Sequence, residues 1–430
     1  MSDIQRIDTS RVTHLFVGYS SAFLSEVGRT FSAGQVLFLE EPEVIRSRNA
    51  ADSCAAVPAV AGIVEAPTQD ERNAESIPQW LARPPRLQAV IPSVEYGVVS
   101  AAALAQAWGL PGAGLKAARL LRDKAELRRM AGLADIRQPA WSIVDDPMVI
   151  EEFRRAHGGQ CVVKPADRQG SLGVALIGPD DHIREAWEET LSIREPAGLR
   201  AREGLGRGRY LAEERISGLE VSVQALIAAG QVLFTNVTVK DILQGRYPVE
   251  LGHTLPAAIP AGLAAELVKS TGRLVKAADF QDGMIHAEWI VADQVPYLIE
   301  CAARVPGDRI TTLIDLAYGI RIVDALLLVM AGLTAPALGE HRLGASIRYL
   351  TAEPGVVTRI SGIDEAWDTN DVVDVTVTAS EGSAVRPLRG SMDRIGSVIA
   401  VSQTAAEARE SAIQAIAAIK VTTDRSRRLD

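Results

Sequence analysis

The sequence predicts a mixed α/β protein: a small parallel α/β domain at the N-terminus, then a larger part built on antiparallel strands. Three observations predict it. Short apolar runs alternate with helix-like stretches over residues 1 to about 107, as a parallel sheet requires. Beyond residue 210 the apolar runs come in pairs joined by short turns, at Gly230 and Gln231 and again near residue 294, which is the pattern of hairpins. A hydrophobic share of 47% over 430 residues supplies a packed core and excludes a disordered chain.

Charge and cysteine usage exclude other classes. Forty-five Lys plus Arg against fifty-four Asp plus Glu leave a net charge of −9, which argues against a nucleic-acid partner. Only seven of the basic residues are lysines. Cys54, Cys161 and Cys301 are far apart and form neither a disulfide framework nor a CxxC metal site. They fit a reducing, cytoplasmic setting. The apolar stretch from Ile322 to Leu338 is interrupted by Asp324 and Pro336 and falls short of the roughly 20 residues of a membrane span. Asp3, Arg6 and Asp8 leave no apolar signal-peptide segment at the start.

In chain order, His14–Gly18, Gln35–Glu40 and Ala89–Pro92 read as strands of the first domain. The turn after the first lacks G-x-G-x-x-G, so a dinucleotide site is not expected there. A helical stretch spans Leu115–Leu133 and a capped helix Asp146–Gly158. Gln160–Lys164 reads as a strand, followed by a glycine-bearing loop, a strand at Val174–Ile177 and a helix at Asp180–Ser192. Glu195–Arg209 is a Gly- and Arg-rich loop; its Gly204–Gly208 run resembles a phosphate loop but follows no strand. Strands resume at Tyr210–Arg215, Glu220–Ala228 and Val232–Val239. An amphipathic helix covers Leu263–Phe280, a hairpin Met284–Val291 and Pro296–Ala302, and one long helix Thr311–Ala331. From about 341 a strand-rich lobe follows, closed by a helix at Ala405–Ile419.

The hairpin carries the first chemistry. Alternation places His286 and Glu288 on one face and Ala287 and Trp289 on the other. A turn centred on residue 294 sets Glu288 opposite Glu300. Like charges directly across a strand pair are unfavourable, and a divalent cation removes the conflict. Two solvated glutamates are the simpler reading of this pair alone. Arg304 lies four residues past Glu300, placed to hold a phosphoryl group or an oxyanion. Upstream, Val162-Val163-Lys164-Pro165 delivers a lysine at a strand end. The loop Ala166–Val174 follows, and its Gly170, Ser171 and Gly173 let backbone N–H groups close over phosphates. Next come Glu213, Glu214, Ile216, a Ser-Gly turn and Glu220.

Taken in order, Asp123-Lys124, Val-Val-Lys164-Pro with its Gly-Ser loop, Glu-Glu-x-Ile-Ser-Gly-x-Glu220, His-x-Glu288 and Ile-Glu300-x-x-x-Arg304 resemble the ATP-grasp superfamily over residues 10 to 335. Glu250-Leu251-Gly252-His253 followed by Pro256 is similar to a segment of the carboxylate–amine ligases of the L-amino-acid ligase (dipeptide ligase) type. The resemblance implies an ATP-grasp fold of the α+β kind. It divides the chain into a pre-ATP-grasp domain (1–107), a linker helix and lid subdomain (108–209), a catalytic subdomain (210–340) and a C-terminal lobe (341–430).

It also implies roles. Lys124 and Lys164 would contact ATP phosphates under the Asp167–Gly173 loop. Glu214 and Ile216 would present backbone groups to adenine, with Glu213 nearby, and Glu220 would take the ribose hydroxyls. Glu288 and Glu300 would hold Mg²⁺ (or Mn²⁺), Arg304 the γ-phosphate and acyl phosphate, and Glu250 and His253 would face the substrate. Asp308 is a candidate for a substrate ammonium or for a helix N-cap. Where many relatives have Glu-x-Asn, this chain has Glu300-Cys301-Ala302, which removes one ligand of a second Mg²⁺. The implied reaction is acyl-phosphate formation from ATP and a carboxylate, then capture by an amine to give an amide, ADP and phosphate. Alternatives are carboxylation of the biotin-carboxylase or purine-pathway kind, phosphoryl transfer, and loading of an amino acid onto a carrier protein. Partners are small carboxylates and amines, with no nucleic acid and no membrane; a homodimer is a family-level expectation.

Overall fold

The computed structural model describes residues 7–425 except 197, 201–207, 244 and 246. The Gly204–Gly208 run therefore lies, except for Gly208, outside the described residues. Among the described residues, no helix is long and apolar enough to cross a membrane.

The first sheet has four parallel strands in the order Val60–Glu65, Val36–Glu40, His14–Val17, Ala89–Pro92. Three match the apolar runs. The fourth, Val60–Glu65, is a half-buried edge strand whose apolar signal is weak. At the C-terminal end of His14–Val17 the chain turns at Gly18, with φ +94. A Cβ there would sit 2.1 Å from a methyl of Val94, so only glycine lets the two loops meet. Ligands of parallel sheets bind at this edge.

Residues 141–214 form a four-stranded antiparallel sheet, Trp141–Val144, Tyr210–Glu214, Cys161–Pro165, Ala175–Ile177. The helices Pro147–Ala156 and Ile183–Ser192 pack on it through Ile150, Phe153, Ala186 and Trp187. Asp146 caps the first by accepting from the N–H of Met148.

The largest sheet has eight antiparallel strands, in the order Val295–Ala302, Gly283–Ala292, Leu219–Ala228, Gln231–Ile242, Glu250–Leu255, Gly344–Leu350, Gly396–Ser402, Val372–Val377. Its last three strands come from beyond residue 340. Alternation splits its faces. Val221, Val223, Ala225, Ala287 and Trp289 pack under the helix Ala261–Ala278. Leu226, Met284 and Ile347 pack under helices that also meet Phe16 and Phe38 of the first domain.

Three expectations are corrected. The stretch Leu115–Leu133 is two helices, Leu115–Arg122 and Lys124–Leu133, because Asp123 turns extended and accepts from the N–H groups of Ala125 and Glu126 as an N-cap. Thr311–Ala331 is also two helices, Ile310–Tyr318 and Ile322–Met330. Gly319 ends the first at φ +66, and Asp315 caps the second by accepting from the Ile322 N–H at 2.8 Å. The last helix, Ala405–Ala418, does not close the lobe: strand Lys420–Asp424 follows and pairs with Gly355–Ser361.

Candidate functional site

The hairpin turns at Asp293 and Gln294, both at positive φ, a two-residue turn of the tightest kind. That turn pairs Ala292 with Val295 and Trp289 with Leu298. Continued unchanged, it would set Glu288 opposite Ile299. A bulge at Ile299 shifts the register by one, so Glu288 faces Glu300 and Ala287 faces Cys301. The expected pairing is therefore reached by a different route, a shorter turn plus a bulge. Cys301 points into the core, as alternation requires, and burial raises its thiol well above the ordinary range.

Arg128 holds the bulge. Its side chain is wholly buried, and it donates to the carbonyls of Leu298 at 3.0 Å and Ile299 at 2.8 Å. The same guanidinium grips Glu213 at 2.9 and 3.1 Å, and Lys164 reaches Glu213 at 2.7 Å. Burial works against the Glu213 charge, but Arg128 and Lys164 outweigh it and lower the carboxyl to about 2. Lys164 is pulled down by burial and up by Glu213. Because two cations share it, the Glu213 carboxylate is the settled charge of the trio.

Each hairpin glutamate is met by a lysine from a different element. Lys124 Nζ lies 2.8 Å from Glu300 and donates to the Arg168 carbonyl at 2.7 Å. Lys240 Nζ lies 2.8 Å from Glu288 and 3.3 Å from Glu250. Burial opposes both members of the Lys240–Glu288 pair, yet their attraction raises the lysine and lowers the carboxyl strongly, with His286 adding a contact at 3.1 Å. Burial raises the carboxyl of Glu220.

These groups line a cavity of about 220 Å³. Lys124, Lys164, Ser171, Glu213, Glu214, Ile216, Glu220, Glu250, Glu288 and Glu300 all border it. Gly170 and Gly173 do not; with Ser171 they take positive φ and curl the loop so that Arg168, Ser171 and Leu172 reach the cavity. Glu214 is fixed by a two-way exchange with the backbone of Ala140. Apolar side chains of Val162, Leu176, Ile242 and Ile290 in the lining suit a flat aromatic group, and the lysines in the same lining suit anions. The candidate metal ligands are the two hairpin carboxylates; Ala302 is buried and offers no donor. Among the described residues no group of three or more His, Cys, Asp or Glu side chains is arranged to hold a metal ion by itself. A pair of carboxylates would suit Mg²⁺, which takes few protein carboxylates and keeps water and phosphate as its other ligands.

A second, larger cleft of about 930 Å³ opens between the first domain and the segment after the hairpin. Arg304 lines it and donates to Glu95 at 2.7 Å. Glu95 is buried, which works against its charge, but Arg304 and Arg122 hold the carboxyl below its usual range. Asp308 also lines this cleft. It is not a helix N-cap: that position is Arg309, and the Asp308 carboxylate meets His253 Nε2 at 2.9 Å and both terminal nitrogens of Arg394 at 2.5 and 2.9 Å. His253 lines neither cavity; it is almost fully buried behind Asp308. Arg394 stacks on Tyr349 at 3.7 Å and donates to the Glu250 carbonyl at 3.1 Å, while Ser391 donates to the Glu250 carboxylate at 2.6 Å.

Comparison with known proteins now decides the family. Residues 158–312 match the model of an ATP-grasp domain, and residues 348–424 that of L-amino acid ligase C-terminal domain 2. The chain contains an ATP-grasp domain. Its C-terminal lobe is of the L-amino acid ligase type. It is 26% identical to carnosine synthase 1 of Gallus gallus over 62% of this chain and 30% of that one. It is 24% identical to alanine–anticapsin ligase of Bacillus subtilis over 52% of this chain and 49% of that one. The matches thus span less than half the length of these relatives. In fold, the ATP-grasp chain superposes on L-amino acid ligase from Bacillus licheniformis with a TM-score of 0.76 at 18% identity, covering 96% and 100% of the two chains. Phosphoribosylglycinamide synthetase from Anaerococcus prevotii gives 0.69 at 16% identity, also over 96% and 100%.

Sequence reading missed Lys240, Glu95, Arg128, Tyr349 and Arg394. Lys240 had a usable signal, being one of only seven lysines in the chain. The others are ordinary acids, arginines and a tyrosine whose partners lie 40 or more residues away.

Proposed function

We propose that this ATP-grasp protein is an ADP-forming carboxylate–amine ligase that activates an amino acid's carboxylate as an acyl phosphate and joins it to an amine. One observation carries the reading. Glu300 lines the first cavity and Arg304, four residues on, lines the second, so the strand exit Glu300–Arg304 is shared by both. A nucleotide in the first cavity would present its terminal phosphate to whatever occupies the second.

In this reading adenine lies against Glu214 and Ile216, and Glu220 accepts from the ribose. Lys124 and Lys164 move from Glu300 and Glu213 onto phosphate oxygens. The Asp167–Gly173 loop covers them. Glu288 and Glu300 would hold Mg²⁺, which would supply charge neutralisation to the phosphates. Arg304 turns from Glu95 to the oxygens of the transferring group, where fixed positive charge stabilises the developing negative charge. Asp308, tied to Arg394, shapes the substrate side, while Glu250, held by the same arginine, lies on the wall of the first cavity, and His253 acts through Asp308. Little covalent chemistry falls to the protein; alignment and charge do the work. Residues 108–209 then carry the covering loop, 210–340 the metal-binding carboxylates, and 341–430 brace the site.

ADP release with pairs of amino acids, with mass spectrometry of the products, tests the reading. Glu300→Ala and Arg304→Ala should each cut ADP release by about 100-fold or more in protein that stays folded. Full turnover in either variant would refute the assigned roles.

A further inference from the structure

The second cleft is lined by five arginines: Arg29, Arg48, Arg304, Arg309 and Arg321. Four already have a carboxylate. Arg304 is held by Glu95 at 2.7 Å and Arg309 by Asp374 at 2.5 Å. Arg29 pairs with Glu26, and Arg321 with Glu26 at 2.9 Å and Asp324 at 2.7 Å. Arg48 has none among the described residues. Its guanidinium lies 5.1 Å from the centre of the Tyr19 ring and makes one long hydrogen bond, 3.4 Å, to the Tyr19 carbonyl. Its stem rests on Gly198, where a Cβ would come within 3.1 Å of Arg48 Cγ. The arginine is thus held in place, half-buried, on the wall formed by the ligand-binding edge of the parallel sheet, with most of its donors uncommitted.

A fixed guanidinium on a cleft wall without a partner carboxylate is a receptor for one. We propose that Arg48 anchors the α-carboxylate of the acceptor, so that the amine substrate is an amino acid or peptide and not a simple amine. The proposal rests on the ligase reading above and deepens it. The donor's carboxylate is consumed beside Arg304, where it becomes the acyl phosphate. A carboxylate that reaches Arg48 must be one that survives the reaction. In the joining of two amino acids, that is the acceptor's, which becomes the C-terminus of the product. The other wall acids leave Arg48 available: Glu26, Glu95 and Asp308 are ion-paired, Glu40 accepts from the backbone N–H groups of Tyr19 and Glu41, and Asp315 accepts from the Ile322 N–H.

The test first finds an amino-acid pair that releases ADP, then replaces the acceptor by its primary amide, a neutral group of the same size. The wild type should prefer the free acid by about 10- to 100-fold in kcat/KM, the worth of one charge-assisted contact. Arg48→Met should collapse this ratio toward one, and Arg48→Lys should retain part of it. Gly198→Ala, which pushes on the arginine without removing it, should lower the ratio as well and serves if Arg48→Met does not fold. Equal use of acid and amide by the wild type overturns the anchor with no variant needed. So does a ratio that survives in Arg48→Met. Absence of ADP release from every amino-acid pair overturns instead the ligase reading on which the anchor rests.

Discussion

Glu213 shows how a residue on the cavity wall can be structural first. Its carboxylate is shared by Arg128 and Lys164, all three nearly or wholly buried. Removing one member leaves buried charge unpaired, which costs several kcal/mol where replacing the whole set would not. Glu213→Gln should therefore lower the unfolding free energy by about 3 kcal/mol or more, read from urea denaturation. The pH dependence has a fixed sign. Glu213 titrates near 2 in the folded protein, against an ordinary value of 4.5. Its contribution to stability is fully present above about 4.5 and is lost as pH falls through about 2. Acid titration of the urea midpoint should show that loss in the wild type and a reduced one in Glu213→Gln. An identical acid profile in both would show that the stabilisation lies elsewhere.

At the scale of elements, the link from Tyr210–Glu214 into Leu219–Ala228 is closely packed where it borders the first cavity. Gly218 lies against the strand Gly283–Ala292 so closely that a Cβ would sit 2.1 Å from the Val291 carbonyl oxygen. Backbone cannot yield as a flexible side chain does. Gly218→Ala should cost about 2 kcal/mol or more and raise the KM for ATP, because Glu214, Ile216 and Gly218 line the same wall. Unchanged stability would mean that the two strands part easily, and the cavity wall is then softer than its packing suggests. The bulge at Ile299 is the complementary case. An irregularity costs ladder hydrogen bonds, and Arg128 supplies replacements at the two carbonyls beside it.

At the scale of the whole molecule, the large sheet does not stop at residue 340. Strand Gly344–Leu350 pairs with Glu250–Leu255, and Gly396–Ser402 and Val372–Val377 extend the ladder. The C-terminal lobe thereby places Tyr349, Ser391 and Arg394 beside Asp308 and Glu250. Arg394→Met should free Asp308 and reduce kcat for ADP release by about 10-fold, the worth of one charged hydrogen bond, with a smaller change in KM for ATP. If KM for ATP changes as much as kcat, the lobe acts on the nucleotide cavity and not on the substrate side.

The sequence by itself determined the local rules. Alternation fixed which face of the hairpin carries Glu288 and which carries Cys301, and the order of lysines, glycine loop and glutamates pointed to the ATP-grasp fold, because these are one-dimensional patterns. Element boundaries were less legible: a helical pattern continues through Asp123 and Gly319, while a side-chain cap and a left-handed backbone end the helices there. Only the tertiary structure decided the rest. The turn of Asp293 and Gln294 would have misaligned the two glutamates, and it took Arg128, some 170 residues away in sequence, to support the bulge that realigns them. The partners of Arg304, Asp308 and Lys240 likewise come from distant strands and loops. A charge's role depends on which opposite charge is within about 4 Å, and that distance is set by packing, which no local pattern records.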